Sequence, residues 1–218
     1  MKKVNDLLGK IGMLLVLVNL FVALISMLFF SQTVYRLFFQ KHHLEVQTDL
    51  PLEKAEEAHT ALLCYLRDQK DDILVADQPF FNARETFHMQ DVKRLWQGIC
   101  KLQMATVAGG FFLLVFGMRK ENKRAALRLY IVSALCVLSF LLLFVLLWMG
   151  ADFNAFWSWI HHLLFRHNDF WRLDPNTSIM ANMYPSSYWR MILMTGSFAF
   201  LLLLAIGIYI DFYYPSRL

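Results

Sequence analysis

The stretch Leu127–Met149, LRLYIVSALCVLSFLLLFVLLWM, holds one charge, Arg128, close to its start. At about 1.5 Å per residue, a helix of this length reaches across the roughly 30 Å of bilayer hydrocarbon. No water is available there for backbone amides, so the segment must be helical and satisfy its own hydrogen bonds. Three further stretches read the same way: 11–39, 96–118 and 191–210. In the first of these the apolar run from Ile11 to Phe30 is expected to continue as one helix to Phe39. Composition agrees, with 58% hydrophobic residues, 17% charged and a mean hydropathy of +0.44. These values exclude an ordinary soluble domain of 218 residues, which needs more polar surface. The expected fold class is an all-α integral membrane protein, four transmembrane helices with an extracytoplasmic cap of short helices and loops.

Lysines and arginines set the expected orientation. Lys2, Lys3 and Lys10 lie in the N-terminal segment 1–10, and Arg119, Lys120, Lys123 and Arg124 lie in the connection 119–126. Both segments should be cytoplasmic, as should the C-terminal segment 211–218 with Arg217. Segment 40–95 holds seven basic and eleven acidic residues, and 150–190 holds three of each, so both belong outside. The first apolar run is longer than a signal peptide's and no small-x-small site closes it; it reads as a retained anchor.

The two outer segments carry local structure. Leu52–Leu66 reads as an amphipathic helix with Ala55, Ala58, Leu62 and Leu66 on one side, and Asp68–Asp77 as an acidic loop. Asn82-Ala83-Arg84-Glu85 has capping-box form, with Asn82 as N-cap and Glu85 reaching back to its amide. The helix it starts meets no proline or glycine before Gly98, so it should run on into the second span. On it His88 and Asp91 share a face. Phe153–Arg166 reads as an interfacial helix. Phe153, Phe156, Trp157, Ile160, Leu163 and Leu164 are expected on its apolar side, with Asn154, Ser158, His161, His162 and Arg166 opposite. Turn chemistry follows at Asp174-Pro175.

Histidines are the candidate chemistry, because imidazole exchanges protons near neutral pH. His42 and His43 sit where polar residues commonly mark an interface, and His59 is expected to be solvated on its short helix. His88, His161 and His162 have acidic, aromatic and interfacial neighbours. The residues alone leave three readings open: an acid–base site, interfacial histidines that hold an aromatic belt, or a zinc site. The zinc reading is disfavoured because adjacent His161 and His162 point about 100° apart on a helix. Cys64, Cys100 and Cys136 form neither a disulfide framework nor a zinc signature. No H-E-x-x-H, Walker loop, G-x-S-x-G or dinucleotide fingerprint is present, so no cofactor or metal is expected.

At these same segments the chain resembles the bacterial lipoprotein intramolecular transacylase family. The likeness rests on Phe87-His88-Met89-Gln90-Asp91-Val92, then His162-Leu163-Leu164-Phe165, Asn168-Asp169-Phe170-Trp171, Leu173-Asp174-Pro175 and Thr177, and finally Tyr184-Pro185 and Tyr188-Trp189. Two positions depart from the pattern: Ser178 stands where an acid is expected, and Arg166-His167 replaces a more apolar pair. The resemblance implies a multi-pass protein of the bacterial cytoplasmic membrane, both termini inside and the active site on the outer face. It implies transfer of the sn-2 acyl chain of a diacylglyceryl-cysteine to its α-amino group, giving lyso-form lipoprotein. The implied partners are diacylglyceryl-modified lipoproteins and membrane lipid, with no nucleic acid. His88 and His162 are the catalytic candidates, one as base and the other as donor; Asp91, His161, Asp169, Trp171 and Asp174 are supporting candidates. The rival readings are a membrane scaffold or sensor with partner-binding outer loops, and a lipid-modifying metalloenzyme that chelation would disable.

Overall fold

The computed structural model describes residues 2–118 and 123–213. Arg119, Lys120 and Arg217, on which the expected orientation partly rests, lie outside the described residues. The elements run α1 (Lys2–Phe29), α2 (Gln32–Lys41), α3 (Leu44–Thr48), α4 (Leu52–Leu66), β1 (Leu74–Val75), β2 (Gln78–Pro79), α5 (Ala83–Gly117), α6 (Lys123–Ala151), α7 (Phe153–Leu164), α8 (Ile179–Met183) and α9 (Ser186–Tyr213). Among the described residues α1, α5, α6 and α9 are long and apolar enough to cross a membrane. The fold class is therefore the one the sequence predicts.

One expected helix is divided. The first helix stops at Phe29, and Ser31 then caps α2, its hydroxyl accepting from the Val34 amide at 3.3 Å. Serine competes with the helix for backbone hydrogen bonds and favours caps. In α2, Tyr35, Phe38 and Phe39 are all buried.

The chain forms two compact units. The first contains residues 1–27, 102–147 and 192–218. Its core gathers Met13, Leu17, Leu114, Tyr130 and Phe200. Tyr130 donates its hydroxyl to the Gly117 carbonyl at 2.9 Å. Asn19 donates to Thr106 at 2.9 Å and to the Leu15 carbonyl at 2.8 Å, so this buried amide is satisfied without water. Small residues bring α1 and α5 together: a Cβ on Gly12 would lie 2.6 Å from the Gly110 carbonyl oxygen. Phe111, Phe140 and Phe144 point outward, 67%, 72% and 59% exposed, an outer surface suited to lipid rather than water.

The second unit contains residues 28–101 and 148–191. Here α2 packs on α4, and Arg36 meets Glu56 through Nε and Nη2, at 2.5 and 2.9 Å. The buried stripe of α4 includes one residue that polarity alone places in solvent. His59 is wholly buried, stacked on Tyr35 at 4.1 Å, with its Nδ1 2.8 Å from the Tyr184 hydroxyl. Position 59 follows Ala55 by four residues and precedes Leu62 by three, so it belongs to the apolar face. Burial drives its pKa down to about 3. The acidic loop ends in a small hairpin, β1 antiparallel to β2, with left-handed Ala76 and Asp77 at its turn.

Candidate active site

The capping box at the start of α5 forms as expected. The Asn82 amide donates to Glu85 Oε2 at 2.7 Å, and the Glu85 amide donates to Asn82 Oδ1 at 3.0 Å. Glu85 does more than cap. It is wholly buried, and its Oε1 accepts from the Ser178 hydroxyl at 2.5 Å and the Met180 amide at 2.9 Å. Ser178 in turn caps α8 by accepting from Ala181. A carboxylate already occupies this place, so a second acid at 178 would be repelled; the serine is the complementary residue.

One turn beyond Glu85, His88 is 8% exposed and enters the wall of a cavity of about 650 Å³. Trp157, His161, Trp171, Arg172 and Trp189 line the same cavity. The His88 and His161 rings lie 6.0 Å apart, and Phe165 closes on both, at 5.2 and 5.6 Å. The Nδ1 of His88 is buried and has no hydrogen-bond partner among the described residues. His161 is differently held: its Nδ1 lies 2.8 Å from the Trp157 carbonyl. A carbonyl can only accept, so Nδ1 carries the proton and Nε2 keeps its lone pair. Burial pushes the His161 pKa below the ordinary imidazole value, while the bond to Trp157 works against that shift and His162 reinforces it. The ring is thus a neutral proton acceptor with its tautomer fixed.

The expected division of α7 into faces is corrected here. Asp152 caps the helix by accepting from the Ala155 amide at 2.9 Å. His161 is buried with Phe153 and Phe156, while Leu163 and Leu164 are 42% and 46% exposed. The rings of Phe153, Trp157 and His161 continue one another, 5.8 Å and then 4.6 Å between centroids. At about 100° per residue, position 161 lies next to 157 and only about 80° from 153, whereas 162 lies opposite. His162 is exposed and outside the cavity lining; its Nε2 accepts from Arg172 Nη2 at 3.1 Å.

The supporting candidates organise the second outer segment. Asp91 Oδ2 accepts from Asn168 at 2.7 Å and its Oδ1 faces Arg94 at 3.3 Å, so the hydrogen bonds of its carboxylate go to these side chains. Asn168 then accepts from the Phe170 amide at 3.1 Å. Asp169 faces Arg172 Nε at 3.6 Å, and its carbonyl accepts from Arg84. Trp171 packs edge-on against His162 and lies 5.1 Å from His161, its buried Nε1 without a partner among the described residues. Asp174 accepts from both nitrogens of Asn176 at 2.9 Å and caps its own turn. Arg172 is a cavity residue that sequence reasoning missed, although it stands between the quoted Trp171 and Leu173. Among the described residues no group of three or more His, Cys, Asp or Glu side chains converges as a metal would require.

A family model described as lipoprotein intramolecular transacylase Lit matches residues 10–189. Comparison with curated proteins gives no match. Among solved structures, the membrane-integral lipoprotein intramolecular transacylase Lit from Bacillus cereus is similar with a TM-score of 0.78 at 17% identity, over 98% of this chain and 95% of that one. Two variants of that protein, each with a histidine replaced, by arginine and by alanine, give TM-scores of 0.68 and 0.69 at 16% identity. They cover 96% of this chain and 92% and 94% of theirs.

Proposed function

Because the chain belongs to the lipoprotein intramolecular transacylase family, and so performs intramolecular acyl transfer on lipoproteins, we propose that His88 and His161 move the sn-2 acyl chain of a diacylglyceryl-cysteine to its α-amino group. One observation carries the reading: two buried imidazoles share one apolar cavity wall, and a backbone carbonyl fixes one of them as a proton acceptor.

The amine nitrogen attacks the ester carbonyl carbon, forming the C–N bond and a tetrahedral oxyanion. Nε2 of His161 takes the proton from that nitrogen. Collapse breaks the bond to the glyceryl oxygen, and an imidazole N–H, from His88 or from the newly protonated His161, returns the proton to it. Atoms balance: ester and amine become amide and alcohol, with no oxidant and no ATP. Donor and acceptor belong to one molecule, so the cavity has no second substrate to capture and has only to hold amine and ester in a near-attack geometry. The apolar wall built by Phe29, Trp157 and Trp189, whose rings stack at 5.1–5.3 Å, suits the acyl chain beside the reacting centre.

The lysines and arginines support a placement with both termini cytoplasmic and this cavity at the outer face, where diacylglyceryl-modified lipoproteins and membrane lipid meet it. The test is expression in a cell without other N-acylation, followed by mass spectrometry of lipoprotein N-terminal peptides. The wild type should give N-acyl, S-monoacylglyceryl cysteine, and His162→Ala should still give it, at a lower rate. His88→Ala and His161→Ala should leave diacylglyceryl cysteine with a free amine. Full conversion by either of these two variants would overturn the mechanism.

A further inference from the structure

The tetrahedral intermediate carries a full negative charge on the former ester carbonyl oxygen, in a cavity whose walls are largely aromatic and aliphatic. Such a charge needs donors already in place, because an apolar wall cannot reorganise to solvate it. Among the described lining residues, Arg172 alone carries a permanent charge. Its guanidinium is held on two sides: Nε faces the Asp169 carboxylate at 3.6 Å, and Nη2 donates to His162 Nε2 at 3.1 Å. Its Cζ lies over the Trp171 ring, 5.1 Å from the centroid. Its backbone is fixed as well, the amide donating to the Asp169 carbonyl at 3.1 Å and the carbonyl accepting from Arg84 at 3.3 Å. An arginine has five N–H donors, and these contacts use only part of them. Other polar groups in the lining are poorer partners for an oxyanion. The Tyr184 hydroxyl is engaged with His59, the Asn182 amide donates to the Pro175 carbonyl, Gln47 and Ser186 are neutral, and the buried Trp171 Nε1–H offers a single neutral donor.

Resting on the reading of the histidine pair given above, we infer that Arg172 is the oxyanion-stabilising residue of the acyl transfer, and that His162 and Asp169 are positioning residues that aim its guanidinium. The roles of the two adjacent histidines thereby separate. His161 exchanges protons. His162 offers a lone pair to the arginine, which requires its neutral form, since guanidinium has no acceptor to offer in return.

The test uses the full chain reconstituted in lipid, with a synthetic diacylglyceryl-cysteine lipopeptide, and follows the initial rate of N-acyl product by mass spectrometry. Arg172→Ala should lower kcat by up to about 100-fold with little change in KM, the low end of the scale for losing one oxyanion donor because this side chain is 52% exposed. Arg172→Lys should restore part of kcat, and millimolar guanidinium in the buffer should restore part of the Arg172→Ala rate. His162→Gln, whose amide oxygen can still accept from the guanidinium, should stay near wild type, while His162→Ala should be several-fold slower in kcat. A structural role alone would give no guanidinium rescue and no distinction between Gln and Ala at 162. The inference is overturned if Arg172→Ala raises KM with kcat unchanged, which would mark it as a ground-state anchor, or if guanidinium has no effect. In either case inactive His88→Ala and His161→Ala would leave the histidine reading standing; active ones would remove both.

Discussion

Replacing Glu85 by alanine should unfasten the α8 segment from the head of α5. Three donors converge on this buried carboxylate: the Asn82 amide, the Ser178 hydroxyl and the Met180 amide. Hydrogen bonds to a charged group contribute about 1.5–3 kcal/mol each, and each buried donor left without a partner costs about 1–3 kcal/mol. Ser178 is 3% exposed, so water does not readily replace the lost acceptor there. Some relaxation will recover part of the loss, and we expect a net cost of about 3 kcal/mol. That corresponds to a fall of about 6–12 °C in melting temperature for a chain of this size. Glu85→Gln keeps one acceptor oxygen but turns an amide NH2 toward a donor, so it should fall between alanine and wild type. Thermal unfolding of the purified protein in detergent, followed by tryptophan fluorescence, reads the shift. Because α8 contributes Met180 and Ala181 to the cavity, the acyl-transfer rate should fall even at temperatures where the protein stays folded. A Glu85→Ala protein that melts within about 2 °C of wild type, a shift worth less than about 1 kcal/mol, would refute the account of this carboxylate as the fastening between the two segments.

Acid should loosen the second unit through His59. Its folded pKa of about 3 lies below the ordinary 6.5, so the neutral ring's contribution is complete above pH 6.5 and is lost as pH falls from there toward 3. The loss is about 1.4 kcal/mol per pH unit, or about 2 kcal/mol by pH 5. Melting curves at pH 7 and pH 5 should show it, and His59→Phe, which keeps the stack on Tyr35 and cannot ionise, should flatten the dependence; an equally steep fall in that variant would acquit His59. In the first unit, Gly12→Ala should destabilise by about 1–3 kcal/mol, because its Cβ meets the Gly110 carbonyl oxygen at 2.6 Å and the Leu114 nitrogen at 2.7 Å. Gly109→Ala, whose Cβ would meet no described atom within 4 Å, should melt at or slightly above wild type, alanine being the better helix former, and equal losses in both variants would show that close approach is not what Gly12 provides.

The parts of the fold legible in the sequence are those set by composition or by neighbours within one turn. Four apolar runs dictate four helices because hydrocarbon permits little else, and Asn82 with Glu85 announces a helix start through bonds that span three residues. The second oxygen of Glu85 is not legible, since its partners stand at 178 and 180, beyond the reach of any local pattern. Ser31 is a cap in plain view, yet the apolar run around it hides the break.

The histidines teach the more useful lesson. Polarity assigns His59 and His161 to water, although helix phase puts both on apolar stripes. For the adjacent pair, phase alone is nearly decisive. Neighbours on a helix diverge by about 100°, so a cavity that takes one ring turns the other away. Once Phe153 and Trp157 mark the inward stripe of α7, position 161, four residues beyond Trp157, is the inward member. What phase cannot supply is the use of the outward ring. His162 acquires a partner only because the turn at Asp169–Arg172 swings a guanidinium back onto it, and that turn is set by Arg84 and Asn168, residues that reach it from α5 and through Asp91.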